Sequence, residues 1–448
     1  MVQALSPCQN TIPFLYVLNA LIDNSISSGK ATSRSLPQSV LPNGGLWPHI
    51  TAILNKFDPI QVRYAGGEFY KIVLIVVSGA EQTSVYSPAI VLLHHTILRL
   101  DPTSSTLTSI HYHFIRLCLY AKAYEEAANI LDRPIYHIPT SLDKASAARS
   151  YQYLCSAEPS LAYLTPGTGL TEKFSHRTYL EYFLYAGVVY IALKRWEPAL
   201  AALEICLTAP SSNTASMIQI EAYKKFVLVG LLLNGKTPKA PKAANVAAMK
   251  NIRAVAKAYD CLADAFSSRD SVRFRAEASE GQPLWAQDCN TGLVIQLFNA
   301  FRKYAVIRLG KTFTALSIAE VARRTSSDPS DVKEATEFVT SLISHGELNA
   351  ELTLSADGCG GVLRFLPSAA ATKSEAQLQQ DLVAQAGELR NILKHISDND
   401  HRLEITKEYI GFLQKLKKQK EQSAKGGVAG QSETQFDDID EDMMGGDI

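Results

Sequence analysis

The stretch Phe313–Leu352, FTALSIAEVARRTSSDPSDVKEATEFVTSLISHGELNAEL, decides how the C-terminal third of the chain folds. It predicts, in order, a short strand, a short helix, a longer helix and a strand. Ser317 and Glu320 have capping-box spacing ahead of a helix that buries Ile318, Val321 and Ala322. The run SSDP ends that helix. Asp328 suits the next N-cap, Pro329 the first helical position, and Asp331 adds negative charge near the N-terminus. Val332, Ala335, Val339, Leu342 and Ile343 recur at helical spacing, and Gly346 is a plausible stop. Leu348, Ala350 and Leu352 then alternate with polar residues, as in a half-buried strand. SADGCGG is turn chemistry, and Val362–Phe365 returns as the partner strand. Strand, two helices and a hairpin make a winged helix. The plainer reading is a helical hairpin beside an independent hairpin of strands.

Winged helices often read DNA through the second helix of the pair. That role needs positive charge against phosphates and Arg, Lys, Asn or Gln toward base edges. From Asp328 to Glu347 there is one lysine, Lys333, against Asp328, Asp331, Glu334, Glu337 and Glu347. A duplex would repel this helix, so the domain reads as a protein-binding unit.

Composition agrees. Among 448 residues, 44 basic and 44 acidic side chains cancel, which argues against a dominant role on nucleic acid or anionic membrane. No apolar run is long enough to span a bilayer. The first helix candidate, Ile12–Ile22, has no basic region before it, so no signal peptide is expected. Seven scattered cysteines without a Cys-x-x-Cys pair read as reduced thiols of a cytosolic or nuclear protein.

The pattern predicts a mainly α chain: a degenerate, tetratricopeptide-like helical-repeat solenoid, a winged helix and C-terminal helices. Residues 1–175 form an N-terminal helical-repeat region, with apolar helical segments near 67–78, 87–100 and 110–131 and loops at 35–48 and 157–170. Residues 176–290 form the central repeats. Their clearest pair lies in 178–207, where Gly187 permits close approach of two helices and Ala199 gives way on the facing one. Further helices are expected at 214–234, 245–266 and 289–309. A plain helical bundle fits the same pattern. The winged-helix region spans 291–366.

C-terminal bundle helices follow at 374–420. Leu382, Leu389, Ile396, Leu403 and Ile410 recur every seven residues, with Leu378, Ile392 and Leu413 at the complementary position. Gln385, Asn399 and Thr406 interrupt the seam, and SDND at 397–400 is a candidate break. A coiled coil and a helix packed into a larger bundle suit it equally. Residues 421–448 carry eight acids against one lysine and read as a disordered acidic tail.

Three strings imitate chemistry. Gly230–Thr237, GLLLNGKT, has Walker A spelling, yet a helical pattern precedes it and Pro238 and Pro241 follow, so Gly235 reads as a helix stop. His111 and His113 could offer zinc two nitrogens, as in metal-dependent isopeptidases. That family's pattern puts an aspartate eleven residues after the second histidine, where this chain has Tyr124. Adjacent His94 and His95 are no more promising. Lys236–Lys257 holds six Lys or Arg residues and no acid, a run that suits an acidic partner, RNA or plain solvation, without interleaved aromatics. No cofactor, metal or catalytic constellation is expected.

The order of solenoid, winged helix and terminal helices resembles the PCI-domain proteins of the proteasome lid, the COP-nine signalosome and eukaryotic initiation factor three. The likeness runs through YLEYFLYAGVVYIALKRWEPALAALEICL in 179–236 and VIQLFNAFRKYAVIRLGKTFTALSIAEVARRT in 294–325, and is closest to the signalosome members. The resemblance implies a non-catalytic scaffold that supports removal of Nedd8 from cullins. Its partners would be other signalosome subunits through the PCI domain and C-terminal helices, and cullin-RING ligases through the assembled complex. Direct DNA or membrane binding is not expected, and the location would be cytoplasm and nucleus. The alternatives are a proteasome-lid scaffold and an RNA- or DNA-binding adaptor. The candidate interface comprises Leu348, Ala350, Leu352, Val362, Arg364 and Phe365 of the wing, with Leu382, Leu389, Ile396, Leu403 and Ile410 of the terminal helices.

Overall fold

A computed structural model describes residues 5–28, 36–139, 160–210, 215–325, 332–354, 361–366, 375–404 and 407–425. Among these it has twenty helices and three short strands, so the chain is mainly α. The N-terminal helices are α1 (Thr11–Ser28), α2 (Trp47–Lys56), α3 (Pro59–Val62), α4 (Gly66–Thr83), α5 (Ser87–Leu100), α6 (Ser109–Ala121), α7 (Tyr124–Leu131) and α8 (Ser160–Tyr163). Then come α9 (His176–Ala192), α10 (Trp196–Thr208), α11 (Met217–Asn234), α12 (Val246–Val255), α13 (Lys257–Ser268), α14 (Ser271–Glu280), α15 (Gln282–Gln287) and α16 (Thr291–Leu309). The winged helix adds β1 (Ala315–Ser317), α17 (Ile318–Thr325), α18 (Val332–Ser344), β2 (Ala350–Leu354) and β3 (Gly361–Phe365). Helices α19 (Glu375–Glu404) and α20 (Lys407–Lys425) end the described chain. The chain divides into two units, Met1–Ala370 and Ala371–Ile448.

Short polar side chains start many of the helices. Ser175 accepts from Thr178 N–H at 3.0 Å, and Asn245 accepts from Ala247 N–H at 3.0 Å and Ala248 N–H at 3.2 Å. Each bond satisfies a donor that the first helical turn leaves open.

The first unit has three apolar cores joined through shared helices. The first core runs from Phe14 to Val189, the second from Leu180 to Ala300 and the third from Val306 to Leu363. Helix α9 gives Tyr182 and Val189 to the first core and Leu180 and Tyr190 to the second. Helix α16 gives Leu293, Val294, Leu297 and Ala300 to the second and Val306 to the third. The cores therefore do not part at residues 175 and 290, because at each place one helix has two buried faces. A polar clamp holds the start of α16. Lys224 Nζ lies 2.6 Å from Asp288 Oδ1, Tyr259 donates to Asp288 Oδ2 at 2.7 Å, and buried Asn290 donates to the Tyr259 oxygen at 2.9 Å.

The three strands form one antiparallel sheet in the order β1-β3-β2. Leu316, Leu363 and Leu352 lie in register across it. Leu363 is buried, and Leu316 and Leu352 pack partly buried onto the core formed with Ile318, Val321, Ala335 and Val339. The winged-helix order of elements read from Phe313–Leu352 is the observed one.

Details differ. Ser317 Oγ accepts from Glu320 N–H at 3.4 Å, but the Glu320 carboxylate pairs with Arg323 and Arg324, so only half of a capping box forms. Gly187 faces Leu203 rather than Ala199: a Cβ there would stand 2.8 Å from Leu203 Cδ2. The segment 245–266 is two helices that meet at Ala256, and 110–131 turns at Lys122, which has a φ of 57°. Helix α19 runs unbroken through Ser397–Asp400, since four polar residues need no burial on an exposed helix. The N-cap assigned to Asp328, Pro329 and Asp331 and the turn at 355–360 lie outside the described residues. So do Thr406 and residues 426–448 of the tail expected at 421–448, whereas its first five residues, 421–425, continue helix α20 instead.

Candidate protein-interaction surface

Among the described residues, no strand pairs with the outer side of β2. Strand β3 is central, so both of its sides are paired. Phe365 N–H donates to Thr314 O at 2.9 Å on the β1 side, and Leu366 N–H donates to Asn349 O at 2.9 Å on the β2 side. Antiparallel alternation then pairs Glu351 and Thr353 with β3 and turns the backbone groups of Ala350, Leu352 and Leu354 outward. An edge of this kind can accept a strand from a neighbouring chain.

The wing residues separate accordingly. Leu348 and Ala350 are 7% and 6% exposed and belong to the domain's own core. Their side chains are therefore withdrawn from the candidate interface. The alternation that marks a strand leaves open which face it buries. Leu352 is half-buried, and Phe365 packs on Gly310, where a Cβ would stand 2.7 Å from Phe365 Cδ1. Val362, 47% exposed, and Arg364 lie on the outer face of the sheet.

The second unit presents a longer feature. Leu382, Leu389, Ile396 and Leu403 of α19 are exposed, the first two at 64% and 59%, and Ile410 of α20 is exposed as well. Leu378 and Ile392 are also exposed, and so are Val383 and Leu393, which the heptad reading missed although they flank the seam. No described side chain of α19 is buried. Thirty helical residues extend about 45 Å. Each leucine or isoleucine on such a stripe gains about 1.5–3 kcal/mol when fully covered.

The imitative strings resolve as packing. Gly235 ends α11 with a φ of 63°, and a Cβ there would lie 2.6 Å from the Tyr304 ring. Gly230 packs on Pro238, whose Cγ would stand 2.5 Å from an added Cβ. Both glycines of GLLLNGKT thus serve helix ends and close contacts. His111 is buried and accepts on Nδ1 from Thr108 N–H at 3.2 Å and from the Thr108 hydroxyl at 2.8 Å, completing a cap for α6. His113 Nε2 lies 3.3 Å from the Tyr70 hydroxyl. Burial pushes both imidazoles down to about 4, so both are neutral near pH 7. Burial raises the thiols of Cys118 and Cys206 to about 12, which makes them poor nucleophiles. Among the described residues no group of three or more His, Cys, Asp or Glu is placed to hold a metal ion. No helix among them is long and apolar enough to cross a membrane.

The charged runs separate too. All six cations of the 236–257 run are exposed. On α18 the exposed side chains include Lys333, Glu334 and Glu337, and Glu334 holds Arg302 at 2.8 Å. Of the five acids counted in the sequence, Asp328 and Asp331 lie outside the described residues, and Glu334 and Glu347 pair with Arg302 and Lys303.

Comparison with known proteins places these surfaces in context. Residues 1–247 match the family described as COP9 signalosome complex subunit 3, N-terminal helical repeats. The chain is similar to COP9 signalosome complex subunit 3 of Emericella nidulans, with 34% identity over 447 residues, covering 99% of this chain and 89% of the relative. It is 27% identical over 424 residues to the protein of the same name in Neurospora crassa, covering 92% and 81% of the two chains. A Dictyostelium discoideum protein of that name is 28% identical over 256 residues, covering 57% of this chain and 53% of its own.

Proposed function

The chain belongs to the COP9 signalosome complex subunit 3 family, and from that premise we propose that it is a non-catalytic scaffold held in the signalosome by its terminal helices and wing. The observation that carries this reading is the exposed apolar stripe of α19, which invites burial against helices of other subunits. The open edge of β2 offers a second contact. In this role the chain supports removal of Nedd8 from cullins without touching the isopeptide bond, and meets cullin-RING ligases only as part of the whole assembly. It works in cytoplasm and nucleus. Support for a non-catalytic role comes from groups already committed to structure: His111 caps α6, and the glycines of the Walker-like string pack on Tyr304 and Pro238.

Native affinity capture followed by mass spectrometry is the decisive test. Recovery of the remaining signalosome subunits in fixed ratio is expected. Recovery of proteasome-lid or initiation-factor subunits in their place would reject the reading. The purified chain, supplied with zinc, should leave Nedd8-modified cullin intact; cleavage that persists after removal of every partner would show it to be an enzyme.

A further inference from the structure

Where the central repeats meet the winged helix, five arginines converge on one cleft. Arg269 follows α13, Arg275 lies on α14, Arg302 and Arg308 on α16, and Arg324 on α17. The cavity is about 320 Å³ and has Phe298 and Phe301 in its wall, while among the described residues no Asp or Glu lines it.

The arginines are unequally satisfied. Arg324 donates to Glu320 at 2.6 Å, and Arg302 Nη1 donates to Glu334 at 2.8 Å. The other two nitrogens of Arg302, Nε and Nη2, are buried with no hydrogen-bond partner among the described residues. Among those residues no carboxylate forms an ion pair with Arg269 or Arg308. Burial, and then the charge of Arg269, lowers the pKa of the Arg308 guanidinium. Like charges held together against an aromatic wall repel one another, and the field in such a cleft concentrates anions.

We propose that this arginine cleft binds a phosphate monoester group, carried by a phosphorylated side chain or by a small phosphorylated molecule. Two cations without carboxylate partners, Arg269 and Arg308, beside a third guanidinium from Arg324, call for more than one negative charge. A phosphate monoester brings about −1.5 to −2 charges and three acceptor oxygens, whereas a carboxylate brings one charge and two oxygens. Guanidinium forks match phosphate oxygens in pairs. The volume exceeds a bare phosphate and leaves room for the group that carries it. A duplex backbone needs an extended track of contacts, which a cleft of this size does not provide.

The test is calorimetric titration of the full chain at constant ionic strength. The probes are inorganic phosphate, a phosphoserine peptide, its glutamate and serine counterparts, and glycerol 2-phosphate. Saturable binding of inorganic phosphate and of at least one ester is expected, and the tighter ester identifies the source. Arg308→Gln and Arg269→Gln should each weaken binding at least about tenfold, while Lys239→Gln in the 236–257 run should not change it. Without phosphate, the two arginine variants should melt at or above the wild type, because each relieves repulsion. The rise in Tm caused by phosphate should disappear in both. The proposal fails if binding does not saturate by about 10 mM phosphate or if the arginine variants bind as well as the wild type. It fails equally if the glutamate peptide binds as tightly as the phosphopeptide, or if duplex DNA competes more strongly than either ester.

Discussion

Helices α11 and α19 are both rich in leucine, isoleucine and valine, and they meet opposite fates. In α11, Ile220, Tyr223, Phe226, Val227, Leu228, Val229 and Leu231 are buried. In α19, Leu382, Val383, Leu389, Leu393 and Ile396 are exposed. The apolar residues of α11 surround its axis, and helices α9, α10, α12, α13 and α16 all pack against it. Those of α19 keep largely to one side, with Asp, Glu, Gln and Lys elsewhere. Periodicity identifies a face that needs covering. It does not identify the chain that covers it.

Paired substitutions test that contrast most strongly. Phe226→Ala should destabilise the isolated chain by about 3–5 kcal/mol, because the second core cannot close over the lost ring. Replacing both Leu389 and Ile396 by aspartate should leave the urea or thermal melt of the isolated chain unchanged. The same double variant should lose several kcal/mol of assembly energy, read as loss of co-purification, because charge would enter an apolar seam. A lower melt for the isolated double variant would mean that its own chain covers the stripe, and the contrast would collapse.

Acid probes the buried side of the same contrast. His111 stays neutral in the folded state down to about pH 4, whereas in the unfolded chain it titrates near 6.5. Its folded pKa is depressed, so between about 6.5 and 4 the unfolded state binds more protons and stability falls with falling pH. The slope is about 1.4 kcal/mol per pH unit, or about 3 kcal/mol over the window, and this group adds no further loss below it. Urea unfolding of the wild type and His111→Gln across that range checks the slope, which should be shallower in the variant. Equal slopes would remove His111 from the account.

A smaller effect is expected where α11 ends. Gly235→Ala forces a positive φ on alanine and pushes against the Tyr304 ring, whose hydroxyl donates to Leu232 O at 3.0 Å. A loss of about 1–2 kcal/mol is expected from melts, with partner binding retained once the chain is folded. The smallest effect should follow removal of residues 426–448, the acidic stretch beyond α20. It offers like charges and little apolar surface, so partner recovery should be unchanged. Loss of partners on that deletion would move the anchor from the stripe to the tail.

Legibility in the sequence followed side-chain chemistry. Ser87–Leu100 was legible to its ends because Ala89, Ile90, Leu92, Leu93, Thr96, Ile97 and Leu100 keep one buried helical face. The winged helix was legible because Val332, Ala335, Val339 and Leu342 repeat helically while Leu348, Ala350 and Leu352 alternate. Helices α14 and α15 were missed, since only Phe274, Ala278 and Trp285 among their residues are buried. The short α2 was passed over beside the Pro- and Gly-rich loop that precedes it. The heptad of α19 was visible as a period of seven, yet Val383 and Leu393 escaped because a seam of two positions is narrower than the exposed face. The side chains of Leu348 and Ala350 were offered to partners, and the fold takes them inward. Their alternation defines two faces, and only the packing of Val339 and Leu342 behind the sheet chooses between them.

Because α9 and α16 each serve two cores, the first unit has little slack at these joints. A torque on the winged helix passes directly into α16, a rod of nineteen residues and about 28 Å. The Lys224–Asp288 and Tyr259–Asp288 contacts brace its far end. From there the load crosses α11 to α9, where the first core begins. Such packing predicts the behaviour of a girder: a partner that tilts the wing should displace the N-terminal helices by leverage, since both shared helices are continuous and buried on two faces.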